Sequence, residues 1–242
     1  MTLRQYWAQA REPRYSVLFV TPLLLLYEAL AFLLSHSAFA GVRNGADVLL
    51  KTAFVALGGP RGLAAFGVAL FGAGVWVVWR DWRRHPGPLA ARVFALMAVE
   101  SLAYASVFGL VVGRLTAFLL HPALRIAAGG VALPIQTQMV VSLGAGIYEE
   151  LLFRVLLVSA LIALGSAIKL PRPFAIGGAV VGSALIFSAF HYIGPLGDAF
   201  TLGSFAFRAV AGLLLSGLYV ARGFGVTAWT HALYDVGLAL LS

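Results

Sequence analysis

The residues with the clearest capacity for chemistry are two adjacent carboxylates, Glu149 and Glu150, in an otherwise apolar run. A charged side chain inside a membrane costs about 2.5–3.5 kcal/mol on insertion scales, so a spanning segment that keeps one does so for a reason. Glu150 and Arg154 are four residues apart, share a helical face and can pair. Glu149 points about 100° away from that face. As an unpaired buried carboxylate, Glu149 is suited to act as a general base.

Two histidines follow in later apolar segments. His191 lies at the end of one of them, and His231 and Asp235 are four residues apart in the last one. Asp235 can bond one ring nitrogen of His231 and fix its tautomer. We expect both histidines to meet Glu149 across helices. Hydrolysis of an amide requires a deprotonated water, a donor to the oxyanion and a proton for the leaving amine, and a Glu/His/His set supplies all three.

The segments around these residues are long enough to cross a membrane. The chain is 61% hydrophobic and only 11% charged, with a mean hydropathy of +0.94, whereas soluble domains are about 25% charged. A spanning helix needs about 20 apolar residues. Seven runs meet this requirement, at residues 16–34, 62–79, 93–113, 131–165, 174–193, 205–220 and 226–241.

Two further apolar runs, at residues 46–57 and 115–128, are short and interrupted by Lys51 or Arg125, so each is an interfacial helix or an eighth span. The sequence therefore predicts an all-α, polytopic transmembrane bundle of seven to eight spans. It forms a single domain over residues 1–242, with the motif-bearing core at about 131–242. Glu28 and Glu100 also lie in spans, where hydrogen bonds to neighbouring helices explain them better than a substrate cavity.

The net charge of +8 arises from basic residues that cluster between the apolar runs. This distribution predicts contact with a lipid bilayer and not with nucleic acid, and places the loop around Lys169 and Arg172 in the cytoplasm. Glu149 and His191 lie roughly 30 Å of helix from that loop, which predicts a site in the outer half of the membrane. We expect a multi-pass protein of a bacterial inner membrane. Cysteine is absent, which excludes a thiolate nucleophile.

The order of the charged blocks resembles the signature of a known family. The blocks are Glu149-Glu150-x-x-x-Arg154, Phe187-x-x-x-His191 and His231-x-x-x-Asp235. They resemble those of the CPBP family (CAAX proteases and bacteriocin-processing enzymes, the Abi group), over residues from about 131 to the C-terminus. The resemblance implies an all-helical membrane protein that cleaves peptide bonds without a metal or other cofactor.

The resemblance also implies roles for six residues. Glu149 with His191 would activate the attacking water, His231 and Asp235 would stabilise the oxyanion, and Glu150 and Arg154 would orient the site. Asp235 stands where many members have asparagine, and an ionised carboxylate cannot donate a hydrogen bond. Either Asp235 is protonated, or it orients His231 and that ring alone donates. We favour the second alternative.

The resulting prediction is an intramembrane endopeptidase acting on a membrane protein or a lipid-associated peptide. An outer site suits exported proteins or their C-terminal anchors, whereas a CAAX-type substrate requires a cytoplasmic opening. Three alternatives remain open. Glu149, His191 and His231 have the chemistry of zinc ligands, although the sequence has no His-Glu-x-x-His helix. A proton-coupled transporter also keeps ionisable residues at mid-membrane, and a membrane scaffold needs no catalysis.

Overall fold

The chain is a bundle of helices. The computed structural model describes residues 1–35, 43–120, 134–194 and 197–241, and no strand occurs among them. The α-helices are α1 (Leu3–Ala10), α2 (Pro13–Leu34), α3 (Gly45–Gly58), α4 (Gly62–Arg84), α5 (Ala91–Leu120), α6 (Ile135–Gly144), α7 (Ser159–Ala167), α8 (Arg172–Phe190), α9 (Leu202–Arg222) and α10 (Phe224–Leu241). A 3-10 turn (Gly59–Arg61) joins α3 to α4, and a π-helix (Ala145–Val158) joins α6 to α7.

Six helical stretches in the described part of the chain are long and apolar enough to cross a membrane. They are α2, the stretch Gly45–Arg84, α5, the stretch Ile135–Ala167, α8 and α9. The 18-residue helix α10 packs among them. The prediction of an all-α, polytopic membrane protein is confirmed, and six candidate spans are roughly consistent with the predicted seven to eight.

The two short apolar runs of the sequence lie in different kinds of helix. Residues 46–57 lie in α3, whose 14 residues are about 21 Å long and too short to cross a hydrocarbon core of about 30 Å. A tight turn leads from α3 into α4, because a Cβ on Gly62 would lie 2.4 Å from the Phe54 carbonyl oxygen. The start of the run 115–128 extends α5 as far as Leu120, and its remainder lies outside the described residues.

Helices α2 and α4 run in opposite directions, and so do α5 and α9. The start of α2 meets the end of α4, where the Arg14 guanidinium donates to the His85 carbonyl at 2.6 Å. At the same end, Arg222 of α9 binds both carboxylate oxygens of Glu100 in α5, at 2.6 and 2.7 Å, and Tyr6 of α1 donates to Glu100. Glu100 is therefore a partner of neighbouring helices, as predicted, and α1 is fastened to the end of the bundle where the N-terminus lies.

The stretch Ile135–Ala167 is central to the bundle and lies against α10 and the start of α3 at Gly146 and Gly144. A Cβ on Gly146 would lie 2.5 Å from the Ala228 carbonyl oxygen of α10, and a Cβ on Gly144 would lie 2.6 Å from the Asn44 Cβ, just before α3. The backbone of α10 at Gly146 and the Asn44 side chain at Gly144 therefore leave no room for a Cβ. Gly178, in contrast, has open space where a Cβ would stand.

The helix that carries Glu149 and Glu150 is a π-helix and not the α-helix that the sequence predicts. In a π-helix each N–H bonds the carbonyl five residues before it, and such segments are rare and frequent at functional sites. One carbonyl of this helix has a partner from outside, since the Ser183 hydroxyl of α8 donates to the Phe153 carbonyl at 2.9 Å.

Candidate active site

Glu150 holds His231 and Arg154 together in the middle of the bundle. Its Oε1 accepts a hydrogen bond from His231 Nδ1 at 2.7 Å and lies 3.0 Å from Arg154 Nη1. Glu150 and Arg154 are fully buried, and the guanidinium of Arg154 lies 4.5 Å from the centre of the Phe187 ring. The predicted pairing of Glu150 with Arg154 is present, and the pair also fixes His231.

His231 is enclosed by carboxylates on both sides. While Nδ1 faces Glu150, Nε2 lies 3.4 Å from Asp235 Oδ2. An ionised carboxylate only accepts hydrogen bonds, so both ring nitrogens face acceptors and both are set to carry protons. The distance of 3.4 Å exceeds the usual 2.7–3.2 Å of an N–H···O bond, so the Nε2–H is only weakly engaged by Asp235. Sequence spacing predicted the Asp235 contact but not the Glu150 contact.

Glu149 is held on one carboxylate oxygen only. Its Oε1 accepts a hydrogen bond from Asn44 Nδ2 at 2.7 Å, while Oε2 has no hydrogen-bond partner within the part of the chain that the structure describes. The side chain is buried, with 6% of the residue exposed. Glu149 is thus aimed away from the Glu150–Arg154 pair, as predicted, but it is not unpartnered. One oxygen is fixed and the other is available.

His191 caps the end of α8. Its Nδ1 donates to the Phe187 carbonyl at 2.8 Å, so Nε2 is an acceptor when the ring is neutral. No hydrogen bond joins His191 to Glu149 in the described structure, so they act on each other through space. The rings of His191 and His231 both contact Phe187, with centroids 4.8 and 6.3 Å from that of Phe187.

Asn44 is the site residue that sequence reasoning missed. Its side-chain oxygen accepts from the Ala46 N–H at 2.9 Å and caps α3, while its amide donates to Glu149. The sequence carries a signal for the first contact only, because asparagine before an apolar helical run is a common N-cap. Nothing in the sequence places residue 44 beside residue 149.

A group of four charged side chains, the α2–α3 charge cluster, lies next to this site. It consists of Glu28, Arg43, Asp47 and Lys51. Lys51 Nζ lies 2.7 Å from Asp47 and 3.1 Å from Glu28, and Arg43 lies 3.0 and 3.1 Å from the same two carboxylates. Tyr148 donates to Glu28 at 2.7 Å, and Tyr27 donates to Asp47 at 2.7 Å. Glu28 thus bonds neighbouring helices, as predicted, and α3 is anchored to α2 and the π-helix.

Among the described residues, one group has three metal-ligand atoms within 4.8 Å of one another: Glu12, Asp81 and His85. Arg14 pairs with Glu12 at 2.8 Å and lies 3.7 Å from Asp81, so a guanidinium already supplies the positive charge there. Glu149, His191 and His231 are not among the groups with that spacing.

Fold and site together define an integral, multi-pass membrane protein with two carboxylates and two histidines in a helix bundle. A family model described as "Type II CAAX prenyl endopeptidase Rce1-like" matches residues 131–237. This segment, a little under half of the chain, contains all three charged blocks. The match agrees with the resemblance of this segment to the CPBP and CAAX protease family. No curated protein and no solved structure matches the chain.

Proposed function

We propose that this protein is an intramembrane endopeptidase that hydrolyses a peptide bond of a membrane-associated or C-terminally anchored protein. The observation that carries the proposal is the carboxylate of Glu149, which is buried and has one free oxygen in a segment that matches a protease family. The match to that family supports peptide hydrolysis in the membrane. The glutamate and histidine chemistry, the bacterial inner membrane and the substrate class are parts of the proposal.

In the proposed mechanism, a water molecule binds between Glu149 Oε2 and His191 Nε2. Glu149 takes a proton from the water as the water oxygen forms a bond to the carbonyl carbon of the substrate. The Nε2 of His191 accepts a hydrogen bond from the other O–H of the water and orients it, and that hydrogen stays on the oxygen. As the intermediate collapses, the C–N bond breaks and the proton held by Glu149 passes to the leaving amine.

His231 supplies the stabilisation of the oxyanion in this mechanism. Its Nδ1–H is held by Glu150, and its Nε2–H, only weakly engaged by Asp235, donates to the developing negative charge. Asp235 then acts on the ring and not on the substrate. This assignment needs no proton on Asp235 and follows the alternative favoured from the sequence.

The proposal is tested by comparing the C-termini of membrane proteins in cells with the wild-type protein and with Glu149→Gln or His191→Ala. We expect a set of C-termini that is present with the wild type and absent with either variant, because each variant removes a group that activates water. Both variants must insert and melt like the wild type in detergent. Equal C-termini in all three strains would contradict the proposal.

Two measurements separate the alternatives. Cleavage that survives a zinc chelator supports the glutamic mechanism, whereas loss that zinc restores supports a zinc enzyme. A solute flux that depends on Glu149, without any cleavage product, would identify a transporter instead. The family name also suggests a first synthetic probe, a peptide that ends in a prenylated Cys-a-a-X sequence.

A further inference from the structure

Asn44 joins the N-terminal third of the chain to the proposed base. It is 2% exposed, and its amide nitrogen lies 2.7 Å from Glu149 Oε1. We propose that Asn44 is a positioning residue, whose side-chain amide fixes Glu149 and directs the free oxygen Oε2 to the water. This inference rests on the proposed function, and it assigns a role to a residue outside the segment that matches the family model.

The orientation of the Asn44 amide is set by α3. Its Oδ1 accepts from the Ala46 N–H at 2.9 Å, so the opposite orientation would place an NH₂ group against a backbone donor. The Nδ2 must therefore face Glu149. A single conformation of the Asn44 side chain therefore caps α3 and orients the carboxylate of Glu149.

The position of Asn44 is fixed as firmly as its orientation. The backbone of the next helix comes so close that a Cβ on Gly144 would lie 2.6 Å from both the Asn44 Cβ and the Tyr27 ring. On the other side, Lys51 of α3 pairs with Glu28 of α2 at 3.1 Å, and Tyr27 of α2 donates to Asp47 in the first turn of α3 at 2.7 Å. These contacts prevent α3 from withdrawing from Glu149.

A donor at this position favours the ionised carboxylate, which is the form that a base requires. The groups that act on the charge of Glu149 come from every neighbouring element. They are Asn44, the positively charged or titratable Arg154, His191 and His231, and the carboxylate of Asp235. Of these, Asn44 is the one that forms a hydrogen bond to Glu149 in the described structure.

A pair of variants separates the cap of α3 from the hydrogen bond to Glu149. In Asn44→Ser the residue still caps α3, because serine ranks with asparagine at this position, but its hydroxyl is too short to reach Glu149. In Asn44→Ala both contacts are lost. Thr2→Ala, which removes the cap of α1 far from the site, is the control for loss of a cap. Each variant is measured for the rate at which Glu149-dependent C-termini appear in cells.

A second measurement does not depend on catalysis. Infrared titration of the purified protein, with Glu149→Gln subtracted, follows the protonation of Glu149 directly. We expect both Asn44 variants to cleave about 10- to 100-fold more slowly and to titrate at a pH about one to two units higher than the wild type. Thr2→Ala should match the wild type in both measurements.

The outcomes distinguish this inference from the proposed function. Wild-type behaviour of Asn44→Ser together with impairment of Asn44→Ala would reduce Asn44 to a cap and overturn the inference. An unchanged infrared titration in both variants would overturn it as well. If no C-terminus depends on Glu149, the proposed function fails, and the infrared titration still decides whether Asn44 controls the protonation of Glu149.

Discussion

Glu149 and Glu150 are neighbours in the chain but have different partners, and this difference assigns their tasks. Glu150 is surrounded by the guanidinium of Arg154 and the imidazole of His231, so its charge is used within the protein. Glu149 has an amide on one oxygen and no hydrogen-bond partner for the other in the described residues. Oε2 of Glu150 also lacks a hydrogen-bond partner among those residues, so the two carboxylates differ in how their charge is compensated. Glu150 pairs with a guanidinium, whereas the hydrogen-bond partner of Glu149 is a neutral amide.

The role of Asp235 is open to a direct test at the residue scale. If Asp235 only accepts from His231, then Asp235→Asn should keep its activity within about tenfold, because the amide oxygen of asparagine is also an acceptor. Asp235→Ala should lose more, since the ring loses its second partner. Initial rates of cleavage for the two variants decide the matter. Inactivity of Asp235→Asn equal to that of Asp235→Ala would show that the charge itself is required.

The contacts that the sequence predicted at this scale are those between residues one helical turn apart. Spacing alone brought Glu150 to Arg154 and His231 to Asp235. The contacts that it did not predict, His231 with Glu150 and Asn44 with Glu149, join residues that are 81 and 105 positions apart. These depend on how helices pack, and no local pattern records that packing.

Among the elements, the π-helix is the one that the sequence did not predict. Its run from Ala145 to Val158 is apolar on nearly every side, so no periodic polar face distinguishes a π-helix from an α-helix. The wider turn is compatible with the neighbours of this helix. Gly146 admits the backbone of α10 on one side, and Ser183 satisfies a carbonyl on the other.

The packing of the π-helix against α10 can be tested at Gly146. Gly146→Ala should push α10 away, because the new Cβ would lie 2.5 Å from the Ala228 carbonyl oxygen and from the Ala232 Cβ. His231, which lies on α10, should then lose its short hydrogen bond to Glu150. We expect a destabilisation of about 1–3 kcal/mol and a larger loss of cleavage than of stability.

The matched control for this substitution is Gly178→Ala, where a Cβ meets open space and alanine favours the helix. Thermal unfolding in detergent and cleavage are measured on both variants. Equal behaviour of the two variants would show that the approach of α10 at Gly146 does not hold His231 in place.

For the whole molecule, the orientation that follows from seven predicted spans can be tested. Contacts at Arg14 and at Glu100 gather the start of α2, the end of α4 and the end of α9 at one side of the bundle. The charge rule places that side in the cytoplasm. A reporter fused to the C-terminus and active only outside the cytoplasm should therefore be active. Activity of a cytoplasmic reporter instead would contradict the seven-span topology.

The extent of the family match shows how much of the molecule the motifs describe. Residues 131–237 contain every residue predicted for catalysis, yet the site is completed by Asn44 from the other half of the chain. The first 130 residues gave only a pattern of apolar runs in the sequence. Their composition predicts membrane insertion, but a polar contact at a helix cap leaves no trace in composition.

The α2–α3 charge cluster has a consequence for how the protein enters the membrane. A carboxylate in α2 and the lysine in α3 would each be costly in lipid if the two helices partitioned separately. Glu28 and Lys51 are paired at 3.1 Å. This pairing lowers the cost of placing both charges in lipid when α2 and α3 lie together. The pairing therefore favours the joint transfer of α2 and α3 into lipid over the transfer of either helix alone.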